Sequence, residues 1–378
     1  MYYWSKLTAD EQFAGSDIRA RYMIPELINL SNEPTFVLTP SMLIGEEFLS
    51  KHQSLSKLIL AFIVPLYVFK YFWHANKSIR FIYCSTCYSW DLLPALVIKF
   101  FTGAKVVCVS HDTPMQLEGY TFYRMSEKLS IIRSIVFTVI GKLQIYLLKS
   151  VDLPISISNF AMDFFRTSNV HEKAILSSNG VSEVIEESNL GNDRIYDIVI
   201  LGRIAPRKNI PLILKSLPDK SFFRKINLLV ITNSSKKSIE ETFSKCCDGD
   251  RINLTIKQSA SELEKLELLK LSKIYISLSS DENFSVAALE AASMGTALIL
   301  SRNTFFTDIY KDSAIFVDIA DSNSTRREIE TLLGDEAKLK EFQRLSLNLA
   351  RNYIYSNIAE REYKMINALF ERKKKYGV

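Results

Sequence analysis

The chain has 378 residues, 47% of them hydrophobic and 24% charged, with a formal net charge of +5. That length suits about two folded domains, and the composition excludes a disordered or collagen-like chain. The charge is uneven: residues 51–150 hold twelve Lys or Arg against four Asp or Glu, a balance of +8, so the rest sums to −3. A basic excess confined to one segment points to a surface that meets anions, such as lipid head groups or a diphosphate.

From the amino terminus, Met1–Lys6 lacks the basic-then-apolar pattern of a secretory leader. Phe13-Ala14-Gly15-Ser16-Asp17 leads into a helical pattern over Asp17–Leu30, with Ser16 or Asp17 placed to cap it. Strands are expected at Phe36–Leu38, Phe81–Cys84 and Lys105–Ser110, and helices at Trp90–Phe101 and Glu127–Leu148. Leu58–Phe69 is apolar but holds Pro65, and Ile131–Leu148 carries Arg133 and Lys142. Neither supplies the ~18–20 clean apolar residues of a spanning helix. They read as core helices or as a surface resting on a membrane, where Lys57, Lys70, Lys77, Arg80, Lys128, Arg133 and Lys142 lie beside Tyr67, Tyr71, Phe72 and Trp73. Cys84 and Cys87 form a lone C-x-x-C, half of what a structural zinc site needs. The five cysteines therefore read as buried free thiols in a reducing compartment. His111-Asp112 follows the apolar strand directly, so His111 is a candidate site residue and Asp112 its orienter or a turn cap.

Val151–Ser156 is a further expected strand, with a helix over Asn159–Thr167. Polar Glu186–Arg194 reads as an interdomain linker, which sets a first domain at 1–187 and a second at 195–350. The second half alternates clearly. Strands are expected at Tyr196–Leu201, Ile226–Thr232, Ile252–Ile256, Lys273–Leu278, Ala297–Leu300 and Ala314–Val317. Helical patterns fall between them at Asn209–Leu217, Ser238–Cys246, Ser259–Leu271 and Val286–Met294. This alternation predicts an α/β protein with doubly wound parallel sheets.

Two stretches in that half carry chemistry. Gly202-Arg203-Ile204-Ala205-Pro206-Arg207-Lys208 follows a strand and leads into a helix with Pro211 in its first turn. A helix start flanked by cations is an anion site, with Arg203 a planar fork and Lys208 a point charge. Ser279 to Gly295 (Ser-Ser-Asp-Glu-Asn-Phe-Ser-Val-Ala-Ala-Leu-Glu-Ala-Ala-Ser-Met-Gly) runs from a strand end through a helix closed by glycine. Glu282 falls at the carboxyl end of the strand, where open α/β sheets bind ligands, and Glu290 about two turns further on. Two carboxylates so spaced suit two hydroxyl-bearing parts of one ligand. There is no Walker phosphate loop, dinucleotide fingerprint or hydrolase elbow.

The second stretch resembles the donor-binding signature of glycosyltransferase family 4, Glu-Gly-Phe-Gly followed by an apolar run and Leu-Glu-Ala. Glu282, Phe284, Leu289, Glu290, Ala291 and Gly295 match it in register, whereas Asn283 and Ser285 stand where the family usually has glycine. Gly202-Arg203 and Lys208 resemble the family's diphosphate clamp, His111 its cleft histidine, and Gly15 the remnant of its glycine-rich loop. Ser156–Asn159 and Ser177–Val181 resemble its turn motifs, and the segment 352–375 its closing helix, which crosses back to the first domain. The resemblance implies a GT-B fold, two Rossmann-like domains facing across a cleft. It implies a retaining, metal-independent transferase in which Glu282 and His111 serve the reacting sugar. Arg203 and Lys208 would hold the diphosphate, Glu290 the ribose, and Asn283, Phe284, Ser285 and Val286 would close over the sugar. No cofactor is expected, because the nucleotide-diphosphate sugar is a co-substrate. With the basic segment, a lipid-linked glycan acceptor in surface polysaccharide assembly at the inner face of the cell membrane is expected, and no nucleic-acid partner. A nucleotide-sugar epimerase and a non-catalytic nucleotide-sugar binder are the alternative readings.

Overall fold

The computed structural model describes residues 2–3, 15–31, 37–38, 66, 70, 79–111, 131–167, 169–170, 172, 174–190, 193–219, 222–247 and 249–375. Apart from Leu66, the sequence feature at Leu58–Phe69 lies outside these residues, as do Asp112 and Phe13–Ala14. The chain divides into two units, Met1–Asn179 with Tyr355–Val378, and Gly180–Ile354.

The first unit runs β1 (Tyr2–Tyr3), α1 (Gly15–Ser31), β2 (Val37–Leu38), β3 (Phe81–Cys84), α2 (Ser89–Thr102), β4 (Lys105–Ser110), α3 (Ile131–Lys149), β5 (Leu153–Ser156), α4 (Asn159–Thr167) and β6 (Ile175–Leu176). These strands form one sheet in the order β2-β1-β3-β4-β5-β6, with every pairing parallel. Parallel strands are covered on both faces, which is why β3–β5 read as apolar runs. Ile82, Cys84, Val106 and Cys108 pack with Leu92, Ile98, Leu148 and Phe165 of α2, α3 and α4. Cys84, Cys87 and Cys108 are core residues; burial holds the Cys84 and Cys108 thiols well above the usual range. The Cys87 thiol donates to Ser110 Oγ at 3.3 Å and accepts from Gln144 Nε2 at 3.1 Å.

The C-terminal helix, Tyr355–Lys375, belongs to this unit. Arg19 of α1 is buried and forms an ion pair with Glu362 of that helix. Its guanidinium also donates to Tyr83 Oη at 2.8 Å and Ser177 Oγ at 3.1 Å, and Tyr83 donates to Glu362 Oε1 at 2.6 Å. One buried cation thus ties together α1, β3, the strand-end turn after β6 and the C-terminal helix.

The second unit runs β7 (Tyr196–Leu201), α5 (Ile210–Lys215), β8 (Ile226–Thr232), α6 (Lys236–Cys246), β9 (Ile252–Gln258), α7 (Glu262–Lys270), β10 (Ser272–Ser277), α8 (Val286–Ser293), β11 (Ala297–Ser301), α9 (Thr304–Tyr310), β12 (Ile315–Val317), α10 (Ser322–Gly334) and α11 (Glu336–Arg351). Its sheet order is β12-β11-β10-β7-β8-β9, all parallel. Counted in chain order from the β9 edge this is 3-2-1-4-5-6, the dinucleotide-fold arrangement. Interior strand β11 is buried throughout, whereas edge strand β9 alternates toward solvent.

The boundary differs from the expected linker. The chain passes between units at Asn179–Gly180, and Glu186–Leu190 and Asp193–Arg194 belong to the second unit. The Ile185 N–H donates to Ser293 O at 3.0 Å, and the buried Arg194 donates to Ser272 O and, at 2.9 Å, to Met294 O. The polarity that suggested a linker includes an arginine that caps carbonyls far along the chain.

Candidate functional site

In the second sheet the chain starts at β7, winds one way through β8 and β9, then returns to place β10 on the other side of β7. The carboxyl ends of β7 and β10 therefore flank a topological switch point, where no crossover helix covers the crevice. The two stretches singled out from the sequence leave the sheet at these two strand ends. Their backbones are stitched together: the Ser280 N–H donates to Arg207 O at 2.9 Å, and Asn209 Nδ2 donates to Leu278 O at 2.8 Å.

After β7, Pro206–Lys208 makes one 3₁₀ turn, and Asn209 takes a left-handed conformation at φ 51° before α5. The helix α5 has only six residues, shorter than the Asn209–Leu217 pattern suggested, so the cations rather than a helix dipole carry the anion-binding argument. Lys208 is turned back onto Glu282 and pairs with its Oε1. Ser279 Oγ adds a 3.2 Å hydrogen bond to the same oxygen. Arg203 is exposed and enters no ion pair among the described residues.

After β10 the loop enters α8 through Ser285, which is buried at φ 50°. That left-handed backbone explains why glycine suits the position, since a Cβ there is strained. The Ser285 carbonyl accepts from Ala288 N at 3.1 Å and from Tyr310 Oη at 3.1 Å, which fixes the helix start. Phe284 is buried and meets Tyr353 edge-on, centroids 5.9 Å apart. Asn283 and Val286 are half-buried beside it. The helix ends as expected: Gly295 is left-handed at φ 68°, with Gly295 N bonded to Ala292 O and Thr296 N to Ala291 O.

Glu290 lies within α8, 6% exposed, and its Oε1 accepts from Lys265 Nζ of α7 at 2.6 Å. Burial raises its carboxyl above the usual range, while Lys265 pulls it back toward ionisation. Lys265 is a residue the sequence reading missed, because Ser261–Lys270 looks like an ordinary solvated helix. Ser301, the last residue of β11, and Asn303, just past it, were missed too. They donate to Ser279 O at 2.6 and 2.9 Å and so hold the serine that contacts Glu282. Their one signal was position, at the carboxyl end of an apolar strand. The site thus contains two lysine–glutamate pairs, Lys208–Glu282 and Lys265–Glu290, with one exposed arginine nearby in sequence.

In the first unit, β1 lies between β2 and β3, so β1 and β3 flank its switch point. Gly15 begins α1, the helix after β1. His111 follows β4, is buried, and its Nε2 lies 3.1 Å from Ser85 O, just past β3. A carbonyl only accepts, so Nε2 carries the proton. Burial, then the nearby Arg19 charge, lowers the imidazole pKa to about 3. His111 is therefore a neutral hydrogen-bonding group near pH 7 and not a proton donor. The two turn motifs are structural: Ser156 Oγ donates to Ser158 O at 2.8 Å, and Ser177 Oγ accepts from Arg19.

Residues 181–347 match the family model of glycosyl transferases group 1. The whole chain is similar in fold to sucrose-phosphate synthase from Thermosynechococcus elongatus, with a TM-score of 0.70 at 16% identity over 98% of this chain and 99% of that one. A glycosyltransferase from Rickettsia africae gives 0.67 at 12% identity over 98% and 97%. The HepE protein of Anabaena, crystallised with UDP-glucose, gives 0.65 at 12% identity over 97% and 99%. No curated protein sequence matches the chain. The fold is of the GT-B type, two parallel-sheet α/β units. The group 1 match and that fold together support a glycosyltransferase.

Proposed function

We propose that the protein transfers a sugar, with retention and without a metal ion, from a nucleotide-diphosphate sugar to a lipid-linked glycan during surface polysaccharide assembly at the cytoplasmic face of a membrane. The observation that carries the reading is the pairing of both glutamates with lysines at the switch point of the sheet that matches the group 1 family. HepE structures hold UDP, UDP-glucose, or UDP with glucose, which supports the donor class.

In this reading Glu290 accepts the two ribose hydroxyls. Glu282 takes the donor sugar's hydroxyls and releases Lys208 toward the diphosphate, where Arg203 joins it. Negative charge grows on the departing diphosphate, so these cations stabilise the transition state more than the ground state. Asn283 to Val286 close over the sugar, with Phe284 as their buried anchor. His111, a neutral hydrogen-bonding group, serves the reacting sugar, and Gly15 leaves room for a phosphate beside α1. No general base is assigned, because the leaving phosphate itself takes the acceptor's proton.

The test is a screen of common nucleotide sugars for nucleotide release, with and without lipid-linked acceptor. One donor should be turned over by the wild type, with Glu290→Ala and Lys208→Ala each slower by at least a hundredfold. Binding without turnover would make the protein a nucleotide-sugar-binding partner subunit, and a released epimer of the donor would make it an epimerase.

A further inference from the structure

The first unit carries an apolar face that its own core does not use. Helix α3 turns Gln144, Leu147 and Leu148 inward, where Gln144 bonds Cys87. Val139, Leu143 and Tyr146 are nevertheless 60%, 45% and 70% exposed. They stand at i, i+4 and i+7, so they form one outward stripe within about 60° of arc on the helix. Exposed Lys142 and Lys149 run along one edge of that stripe. Helix α2 ends in the same way. Leu93 and Phe100 share a face seven residues apart, and Phe100 and Phe101, 83% and 68% exposed, meet edge-on at 5.2 Å. Lys99 Nζ donates to Ser150 O at 2.7 Å, which ties the end of α2 to the end of α3.

Single exposed apolar side chains are ordinary, but two aromatic-bearing clusters on neighbouring helices, edged by lysines, form an interaction surface. We infer that this face docks on a lipid bilayer rich in anionic head groups, with Phe100, Phe101 and Tyr146 entering the interface and Lys142 and Lys149 reaching the phosphates. Charge selects this occupant: α2 and α3 hold Lys99, Arg133, Lys142 and Lys149 against one acid, Asp91, which is buried, and an anionic leaflet attracts such a pair of helices. Shape agrees. Among the described residues no helix is long and apolar enough to cross a membrane, whereas lysines flanking an apolar stripe suit a helix lying in the interface. The inference deepens the membrane part of the proposed function and does not depend on sugar transfer.

The full chain would be co-sedimented with vesicles of pure phosphatidylcholine and with vesicles containing phosphatidylglycerol. The wild type should bind the anionic vesicles at least tenfold more tightly, and less so in high salt. Phe100→Ser with Phe101→Ser should lower that binding at least fivefold, and so should Leu143→Ser with Tyr146→Ser. Lys142→Glu with Lys149→Glu should abolish the lipid preference. Thermal unfolding and nucleotide-sugar binding should stay at wild-type values in all three, which separates failure of this surface from failure of the transferase reading. Equal binding to both vesicle types, no binding to either, or variants that sediment like the wild type would overturn the inference. So would self-association in sedimentation velocity, without lipid, that vanishes in the serine variants.

Discussion

Lys265 and Glu290 decide how the second unit presents a carboxylate inside a helix. Burial alone would protonate Glu290 more readily, and the ammonium 2.6 Å away opposes this. Lys265→Met should therefore push the carboxyl further up, leaving less carboxylate in acid for the ribose contact that the proposed function assigns to Glu290. Nucleotide-sugar affinity should fall about tenfold at pH 6, worth about 1.4 kcal/mol, and recover toward wild type by pH 8. Lys265→Arg should restore most of it. A loss that is the same at both pH values would mean that the lysine only packs. His111 makes the complementary case in the first unit. Its folded pKa of about 3 lies below the unfolded value of about 6.5, so only the unfolded chain gains a proton as pH falls between them. Stability from this group is complete above pH 6.5 and declines below it. Between pH 7.5 and 5.5 the loss is about 1.4 kcal/mol. Denaturant unfolding at the two pH values should show that difference in the wild type beyond any in His111→Gln; equal differences would contradict the neutral buried imidazole.

At the scale of elements, α8 depends on its two ends. Gly295 closes it in a left-handed conformation, and a Cβ there would collide with Leu190 and come within 3.0 Å of Arg194 Nη2. Gly103 ends α2 at a similar φ of 70°, with nothing within 4 Å of its Cβ position. Gly103→Ala should cost about 1–2 kcal/mol from backbone strain alone, and Gly295→Ala about 2–4 kcal/mol because overpacking adds to it. Equal costs in thermal or denaturant unfolding would show that Leu190 and Arg194 yield freely. This contrast also marks what the sequence could show. Apolar runs and small-residue helices place β7, β8 and the Gly295 cap correctly, because local periodicity and a turn requirement are written in adjacent residues. The carboxylates Glu282 and Glu290 were legible for the same reason. Their pairing was not: Lys208, itself singled out as an anion-binding cation, is 74 residues from Glu282, and Lys265, which the local pattern hides, is 25 from Glu290, distances that only the sheet order closes. The segment 186–194 misled because polarity reports exposure on average, whereas Arg194 is buried against two carbonyls. Short strands such as β1 and β6 have two residues each and no period to detect.

Over the whole molecule, the chain leaves its first unit at Asn179, forms the second, and returns at Tyr355, so the closing helix must be recognised by a surface built from the first residues. Apolar packing contributes, with Tyr22 stacked on Tyr355 at 5.3 Å, but specificity rests on a buried charge. Arg19, 1% exposed, has Glu362, 0% exposed, as its counter-ion, with Tyr83 and Ser177 satisfying further guanidinium protons. A buried pair of this kind adds little net stability over apolar residues of similar size, yet breaking it from one side strands a charge. Glu362→Ala should therefore lower unfolding stability by about 3–5 kcal/mol and expose the C-terminal helix to proteolysis. Arg19→Met combined with Glu362→Leu should recover most of that loss, since neither charge is left alone. The double-mutant cycle separates two roles for the network. Recovery of stability together with wild-type protection of Tyr355–Lys375 would mean that the ion pair is replaceable by packing. Recovery of stability with a helix that still cleaves readily assigns the pair its specific task, which is to select the docked register of the returning chain.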